Sequence, residues 1–200
     1  MIVVSGCPRG FSRSADDWIT IDLGFAGRQS NGKVRRSTGL RIPEYQTAKN
    51  VTYGEAIAEV LRTLRSAVKP INLMLEAPLS IAFDKKGNPA PRRFEQRDKS
   101  ARYWYLQGGA VTLIAAAQLI ARLERAEGPE VRLFEAFLTF KTQSQDHKDD
   151  ADRMLDAALN ENPLENHEMR QHPQDQLESS TARFGMNFGI PPVFDISAMK

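Results

Sequence analysis

The stretch Trp18-Ile-Thr-Ile-Asp22-Leu-Gly24 is a short apolar run that ends in a carboxylate and a turn residue. β-Branched and aromatic residues in such a run, bounded by turn residues, are typical of a buried strand. The pair Asn31-Gly32 follows, and Asn-Gly between two apolar runs is a strong hairpin signal. The chain is therefore predicted to return as a second, paired strand over Val34 to Ile42.

Helices and strands alternate after this hairpin. The first helix is predicted over Thr52 to Val68, because Thr52 and Glu55 form a capping-box pattern ahead of apolar residues at helical spacing. The later elements are predicted as a strand over Ile71 to Glu76, a helix over Tyr103 to Ala126, a strand over Val131 to Phe140 and a helix over Asp149 to Asn160. This order indicates an α/β fold, with a mixed five-stranded sheet flanked by helices.

Length and composition suit one globular domain, since 41% of the 200 residues are hydrophobic and 26% are charged. We expect an ordered domain over residues 1–160, in which residues 1–17 form an N-terminal extension. Residues 161–200 are expected to form a polar, irregular tail. The polar segment Asp84 to Arg97 is expected to be an exposed loop.

Several classes of protein are excluded by the same sequence. No apolar run reaches the roughly 18–20 residues that a membrane-spanning helix needs, so no membrane partner is expected. The single cysteine, Cys7, excludes a disulfide framework and a zinc site built from thiolates. The N-terminus has no signal-peptide pattern, and a cytoplasmic location is therefore expected.

Acidic residues stand at the ends of the predicted strands, where chance surface placement does not readily put them. Asp22 ends the first apolar run and Glu76 ends the next strand of this kind, while Glu135 lies within an apolar strand. Asp149 and Asp152 open the last helix three residues apart, on neighbouring positions of one face. Converging carboxylates repel one another unless a cation lies between them, and hard oxygen ligands suit Mg²⁺ or Mn²⁺.

Four short motifs occur in order between Trp18 and Leu159. They are Ile19-Thr-Ile-Asp22-Leu-Gly24, Leu73-Met-Leu-Glu76-Ala-Pro78, Phe134-Glu135-Ala-Phe-Leu-Thr-Phe-Lys141 and Asp149-Asp-Ala-Asp152. Their order resembles that of the ribonuclease H-like superfamily, nearest to the RuvC-type resolvases and related nucleases of this fold. The resemblance implies an RNase H-like sheet and a divalent-metal-dependent nuclease that hydrolyses phosphodiesters in structured DNA or RNA.

The same resemblance implies roles for individual residues. Two divalent ions, Mg²⁺ or Mn²⁺, would be held by four carboxylates and would support hydrolysis by a two-metal mechanism. The implied set comprises Asp22, Glu76, Asp149 and Asp152 as catalytic metal ligands, Glu135 as an auxiliary acid, Lys141 as a phosphate contact and Asp150 as a substitute for either neighbouring aspartate. His147 stands two residues before the predicted helix, where it could assist a metal-bound water, although loop histidines are more often inert.

Basic residues in the middle of the chain suggest how nucleic acid would be held. Arg92, Arg93, Arg97 and Arg102 would contact the phosphate backbone electrostatically. A resolvase role would also require a two-fold homodimer, because two strands must be cut symmetrically.

Two alternatives remain open. A catalytically silent nucleic-acid-binding or scaffold protein could retain the same fold, since a fold does not determine an activity. The segment Cys7-Pro-Arg-Gly-Phe-Ser-Arg13 also fits the Cys-x5-Arg pattern of cysteine-dependent phosphatases, in which a thiolate attacks phosphorus and an arginine binds the phosphate oxygens. Its loop leads into a strand instead of a helix N-terminus, and Asp16 and Asp17 would repel a phosphate, so this alternative is the weaker one.

Overall fold

The computed structural model of the protein describes residues 1–25, 36–97, 100–101, 108–138, 146–169, 176–180, 186 and 188–196. The helices are α1 (Tyr53–Ser66), α2 (Gly109–Glu124), α3 (His147–Asn160) and the short α4 (Asn166–Met169). The strands are β1 (Val3–Ser5), β2 (Trp18–Asp22), β3 (Thr38–Arg41), β4 (Lys49–Val51), β5 (Ile71–Leu75), β6 (Ser80–Phe83), β7 (Pro89–Ala90), β8 (Gln96–Arg97), β9 (Ser100–Ala101), β10 (Val131–Phe137), β11 (Gln176–Ser179) and β12 (Val193–Asp195).

Seven strands of the described chain form one mixed sheet, with β2 near its centre. The strand order is β1-β10-β5-β2-β3-β4, and β12 also pairs with β10. Strands β1, β2, β5, β10 and β12 run parallel, whereas β3 is antiparallel to β2 and β4 is antiparallel to β3. This mixed sheet flanked by helices confirms the predicted α/β fold class and is compatible with an RNase H-like fold.

The side chains of β2 alternate between the two faces of the sheet and contribute to two cores. Ile19 and Ile21 pack with buried residues of α1 and α2 on one face. Trp18 packs on the other face with Met154 and other buried residues of α3. The Thr20 hydroxyl, on that second face, donates a 2.6 Å hydrogen bond to a backbone carbonyl of α3. Helices therefore cover both faces of the sheet.

The helices follow the signals in the sequence closely. The N-cap of α1 is Thr52, whose hydroxyl accepts a hydrogen bond from the Glu55 backbone N–H while the Glu55 carboxylate accepts one from the Thr52 N–H. This is the predicted capping box, and it fixes the start of α1. None of the helices in the described residues is both long and apolar enough to cross a membrane.

The sheet is larger than the predicted five strands because segments near both ends of the chain join it. The N-terminal strand β1 pairs with residues 131–133 of β10, and β12 pairs with residues 135–137 of the same strand. Another segment of the predicted tail, β11, pairs with β6 in a separate sheet that also contains β7. The prediction of an irregular tail is therefore wrong for β11 and β12. The outer edge of β10 carries backbone donors and acceptors that need partners, and β1 and β12 supply them.

The segment Asp84 to Arg97 is not the uniformly exposed loop that its polarity predicts. Arg92 and Glu95 are fully buried. The Arg92 guanidinium lies 2.9 Å from the Glu95 carboxylate and 2.8 Å from the carboxylate of Glu135 in β10, and it donates a 2.8 Å hydrogen bond to the Ser80 hydroxyl. A buried carboxylate in a central strand is costly without a counter-charge, and Arg92 supplies that charge to Glu135.

This buried cluster predicts a pH-dependent stability, because it contains two carboxylates and one arginine. Burial raises the pKa of Glu135 to about 7, with Glu95 adding to the increase and Arg92 opposing it. The folded state therefore holds a proton more tightly than the unfolded state, so the free energy of unfolding should fall as the pH rises from about 5 through 7. Replacing Glu95→Gln removes one of the charges that raise this pKa, so the decrease in the free energy of unfolding with rising pH should be smaller in this variant.

Urea denaturation of the wild type and of Glu95→Gln between pH 5 and pH 8 tests this prediction. Contributions shared by both proteins cancel in the difference between their unfolding free energies. Parallel curves for the two proteins would contradict the prediction.

Candidate active site

Two of the predicted acidic residues meet at the carboxyl ends of adjacent parallel strands. Asp22 is the last residue of β2 and is fully buried. Glu76 directly follows β5, is half-buried, and its backbone N–H donates a 3.0 Å hydrogen bond to the Ile21 carbonyl. This bond continues the parallel pairing of β2 and β5 and holds the two acids at one edge of the sheet. Ligands of open α/β sheets commonly bind outside this edge.

A histidine joins Asp22 at this edge. Asp22 Oδ2 lies 2.9 Å from Nδ1 of His147, whose side chain is 40% exposed. His147 is the first residue of α3, and the N-cap is Asp146, so the helix begins two residues earlier than predicted. The side chain of Asn50 anchors this start by donating to the Asp146 carboxylate at 2.8 Å and accepting from the Lys148 N–H at 3.1 Å.

Two glycines allow α3 to approach the strands closely. A Cβ at Gly39 would lie 1.9 Å from the backbone oxygen of His147. A Cβ at Gly24 would lie 1.9 Å from the Ser37 carbonyl oxygen and 2.5 Å from Nε2 of His147. Real Cβ atoms do not make contacts this short, so any larger residue would displace the start of the helix. The close approach of α3 to the strands therefore requires glycine at positions 24 and 39.

The aspartates of α3 are distributed differently from the prediction. Asp150 is fully buried, one helical turn beyond His147, and lies 3.7 Å from the Arg153 guanidinium. Asp149 is exposed. Asp152 accepts hydrogen bonds from the Ala48 N–H at 2.9 and 3.0 Å, so it anchors the chain just before β4. Of the three aspartates, only Asp150 is therefore buried, and the residue of α3 that contacts Asp22 is His147, not the predicted Asp149 or Asp152.

A pocket of about 380 Å³ opens beside Glu76 and His147. Its walls come from the end of β2, the residue after β5 and the first turns of α2 and α3. The lining residues are Leu23, Gly24, Phe25, Glu76, Gly108, Val111, Thr112 and His147. Glu76 and His147 give the pocket a polar side, and Phe25 and Val111 give it an apolar side.

The side chains available as metal ligands differ from those of the predicted two-ion site. Among the described residues, no three His, Cys, Asp or Glu side chains converge closely enough to bind one metal ion. Mg²⁺, however, is commonly held by one or two carboxylates, with water and substrate phosphate completing its coordination. Asp22 and Glu76 supply two carboxylates at the carboxyl ends of β2 and β5, whereas the buried Asp150 lies near Arg153. The described residues therefore form no preassembled site for two ions.

The other predicted site residues lie elsewhere or outside the described residues. Glu135 alternates along β10 with Phe134, which packs against α3, so Glu135 faces the opposite side of the sheet from the Asp22 site. The prediction that Arg92 binds nucleic acid is wrong, because this arginine is fully buried and bound to carboxylates. Arg93 is exposed and donates a long, 3.5 Å hydrogen bond to the Glu168 carbonyl. Lys141, Arg102 and the side chain of Arg97 lie outside the described residues.

The structure gives Arg13 a role other than phosphate binding. Its guanidinium donates to the Glu161 carbonyl at 2.7 Å and to the Asn162 side-chain oxygen at 2.6 Å. It therefore caps the carbonyl end of α3. The segment after Cys7 forms only a three-residue helical turn, Ala15–Asp17, before β2 begins. The geometry does not support the phosphatase alternative.

Replacing Gly39→Ala should destabilise the protein and displace the start of α3, because the added methyl group would meet the backbone of His147. We expect a loss of about 1–3 kcal/mol in the free energy of unfolding. Gly54→Ala, in the first turn of α1, is the matched control, since a Cβ there meets no atom within 4 Å. Denaturation of both variants checks the prediction. Equal stabilities for the two variants would show that α3 does not need the close approach at Gly39.

Comparisons with known proteins identify no relative that shares this geometry. A scan against protein-family models, a search of curated proteins and a search of solved structures each found no match.

Proposed function

We propose that the protein hydrolyses phosphodiester bonds of nucleic acid in the pocket beside Glu76 and His147. One observation carries the proposal: the buried carboxylate of Asp22 lies 2.9 Å from a half-exposed imidazole, next to Glu76, at the carboxyl ends of two parallel strands. The sheet around these residues is compatible with the RNase H-like fold that the sequence resembles.

The pair of Asp22 and His147 suits proton transfer. A carboxylate at Nδ1 fixes the orientation of the ring and leaves Nε2 to exchange a proton with a reactant. Nε2 lies against Gly24, which lines the pocket. His147 would therefore accept a proton from the attacking water or donate one to the leaving oxygen, while Asp22 stabilises the imidazolium.

Asp22 and Glu76 would supply two carboxylates to a divalent ion, and water and substrate phosphate would complete its coordination. When bound, Mg²⁺ or Mn²⁺ would supply Lewis-acid stabilisation of the charge that develops on the phosphoryl oxygens. The protein's own contribution is the position of the donors. Asp22 is the last residue of β2, and Glu76 lines the pocket.

The charges around His147 are mixed, because Asp146, Asp149 and Asp150 share the start of α3 with Lys148. The exposed Lys148 follows His147 in the first turn of α3, and the N-terminal end of a helix carries a partial positive charge. Lys148 and this partial charge would attract a phosphate group, and a divalent ion would offset its repulsion by the neighbouring carboxylates.

Substitutions at the pair of Asp22 and His147 should strongly lower the nuclease activity. We expect Asp22→Asn and His147→Ala each to lower the cleavage rate by about 100-fold or more, the scale of losing a proton-transfer group. Asp149→Asn is the matched control, because this aspartate is exposed on the same helix turn as His147. Cleavage of labelled single-stranded, duplex and branched oligonucleotides with Mg²⁺ or Mn²⁺ measures these rates.

Two results would contradict the proposal. Full cleavage by Asp22→Asn would show that the reaction occurs elsewhere. Absence of cleavage by the wild type on every substrate, with oligonucleotide binding retained, would favour the catalytically silent binding protein.

Metal binding should depend on substrate, because the described donors do not form a closed site. We expect calorimetry to show Mn²⁺ binding that is about tenfold tighter with a phosphorothioate oligonucleotide than without it, since phosphate oxygens complete the coordination. Asp22→Asn should lose this gain, and Asp149→Asn should keep it. Equal Mn²⁺ affinity with and without the oligonucleotide would contradict this dependence.

A further inference from the structure

The pocket has an apolar side that phosphodiester hydrolysis does not use. Phe25 is 44% exposed and Val111 is 53% exposed, although both are large apolar residues at the rim. Ile114 follows Val111 along α2 and is 65% exposed. Leu23 is buried at the base of the same pocket. Apolar side chains left exposed around a concave site mark a surface that binds something apolar.

The ring of Phe25 is held in place at this rim. Its centroid lies 5.6 Å from that of Tyr53, with the rings edge to face at 65°. The Tyr53 hydroxyl donates a 2.5 Å hydrogen bond to the Ala115 carbonyl in α2. Burial raises the pKa of Tyr53 to about 12, so the phenol remains a donor at neutral pH. Tyr53, itself held by α2, thus packs against the Phe25 ring, which stays 44% exposed and could bind a ligand at little entropic cost.

We propose that this apolar side binds one unpaired nucleobase of the nucleic acid, with Phe25 as the stacking platform. The inference rests on the proposed function and adds to it the class of substrate. A nucleobase has apolar faces, and its own sugar and phosphate would reach the polar side of the pocket at Glu76 and His147. A base in a regular duplex keeps its faces stacked on its neighbours, whereas an unpaired base offers a face to an aromatic ring. The preferred substrate therefore carries a single-stranded, bulged or branch-point nucleotide next to the bond that is cut.

Binding of three fluorescent duplexes tests the inference. One duplex carries a single bulged thymidine, the second carries a bulged abasic sugar at the same place, and the third is fully paired. Fluorescence anisotropy in EDTA measures affinity without metal-dependent cleavage. We expect the wild type to bind the bulged thymidine about tenfold more tightly than the abasic bulge, as base–aromatic stacking predicts.

Three variants assign that difference to Phe25. In Phe25→Ala the preference for the base should disappear, and in Phe25→Trp it should remain, because a flat ring is retained. Val68→Ala is the matched control, since Val68 is 93% exposed and does not line the pocket; its preference should equal that of the wild type. Comparing the thymidine and abasic duplexes in both the wild type and Phe25→Ala separates the interaction between base and ring from the effect of either change alone.

Three outcomes would overturn the inference: no preference for the base in the wild type, an unchanged preference in Phe25→Ala, or a lost preference in Phe25→Trp. Cleavage rates separate this failure from failure of the proposed function. If cleavage requires Asp22 but is equally fast on bulged and fully paired duplexes, the nucleobase site is refuted and the proposed hydrolase activity stands. If the preference for the base requires Phe25 but no substrate is cleaved, the proposed hydrolase activity is refuted and a nucleobase-binding pocket remains.

Discussion

The close contact between the first turn of α3 and the strands β2 and β3 is the constraint on which the site depends. It is possible only because positions 24 and 39 lack a Cβ, so the backbone of His147 reaches β3 and its ring reaches the end of β2. This contact brings His147 within 2.9 Å of Asp22 and forms one wall of the pocket. With a wider separation, Asp22 would keep its place at the end of β2 but would have no imidazole beside it.

The acidic residues of the chain serve two different purposes that their sequence context does not distinguish. Asp22 and Glu135 are both fully buried carboxylates in apolar strands. Glu135 is neutralised by Arg92 and accepts a 2.9 Å hydrogen bond from the Leu79 N–H, so it holds the segment after β5 against β10. Asp22 faces the other side of the sheet and contacts a half-exposed histidine. Burial alone therefore does not distinguish the two carboxylates, whereas the exposure of their partners does.

The sequence predicted the strands and helices well where local signals are strong. The apolar run of β2, the capping box of α1 and the strand before Glu76 all lie where they were expected. The start of α3 was placed two residues late, because the N-cap Asp146 was not recognised among neighbouring aspartates. Each residue turns a helix by about 100°, so Asp149, Asp150 and Asp152 point in different directions, and only the packing shows that Asp150 is the buried one.

The sequence by itself determined the alternation of strands and helices and the presence of acids at the ends of β2 and β5, because these follow from local periodicity and turn residues. The tertiary structure decided which charged residues meet. Arg92 was expected on a solvent-exposed loop and lies instead between two carboxylates, and segments 3–5 and 193–195 complete the edge of β10. These pairings join residues distant along the chain, and they depend on burial and on the approach of backbones, which a single sequence does not encode in any short window.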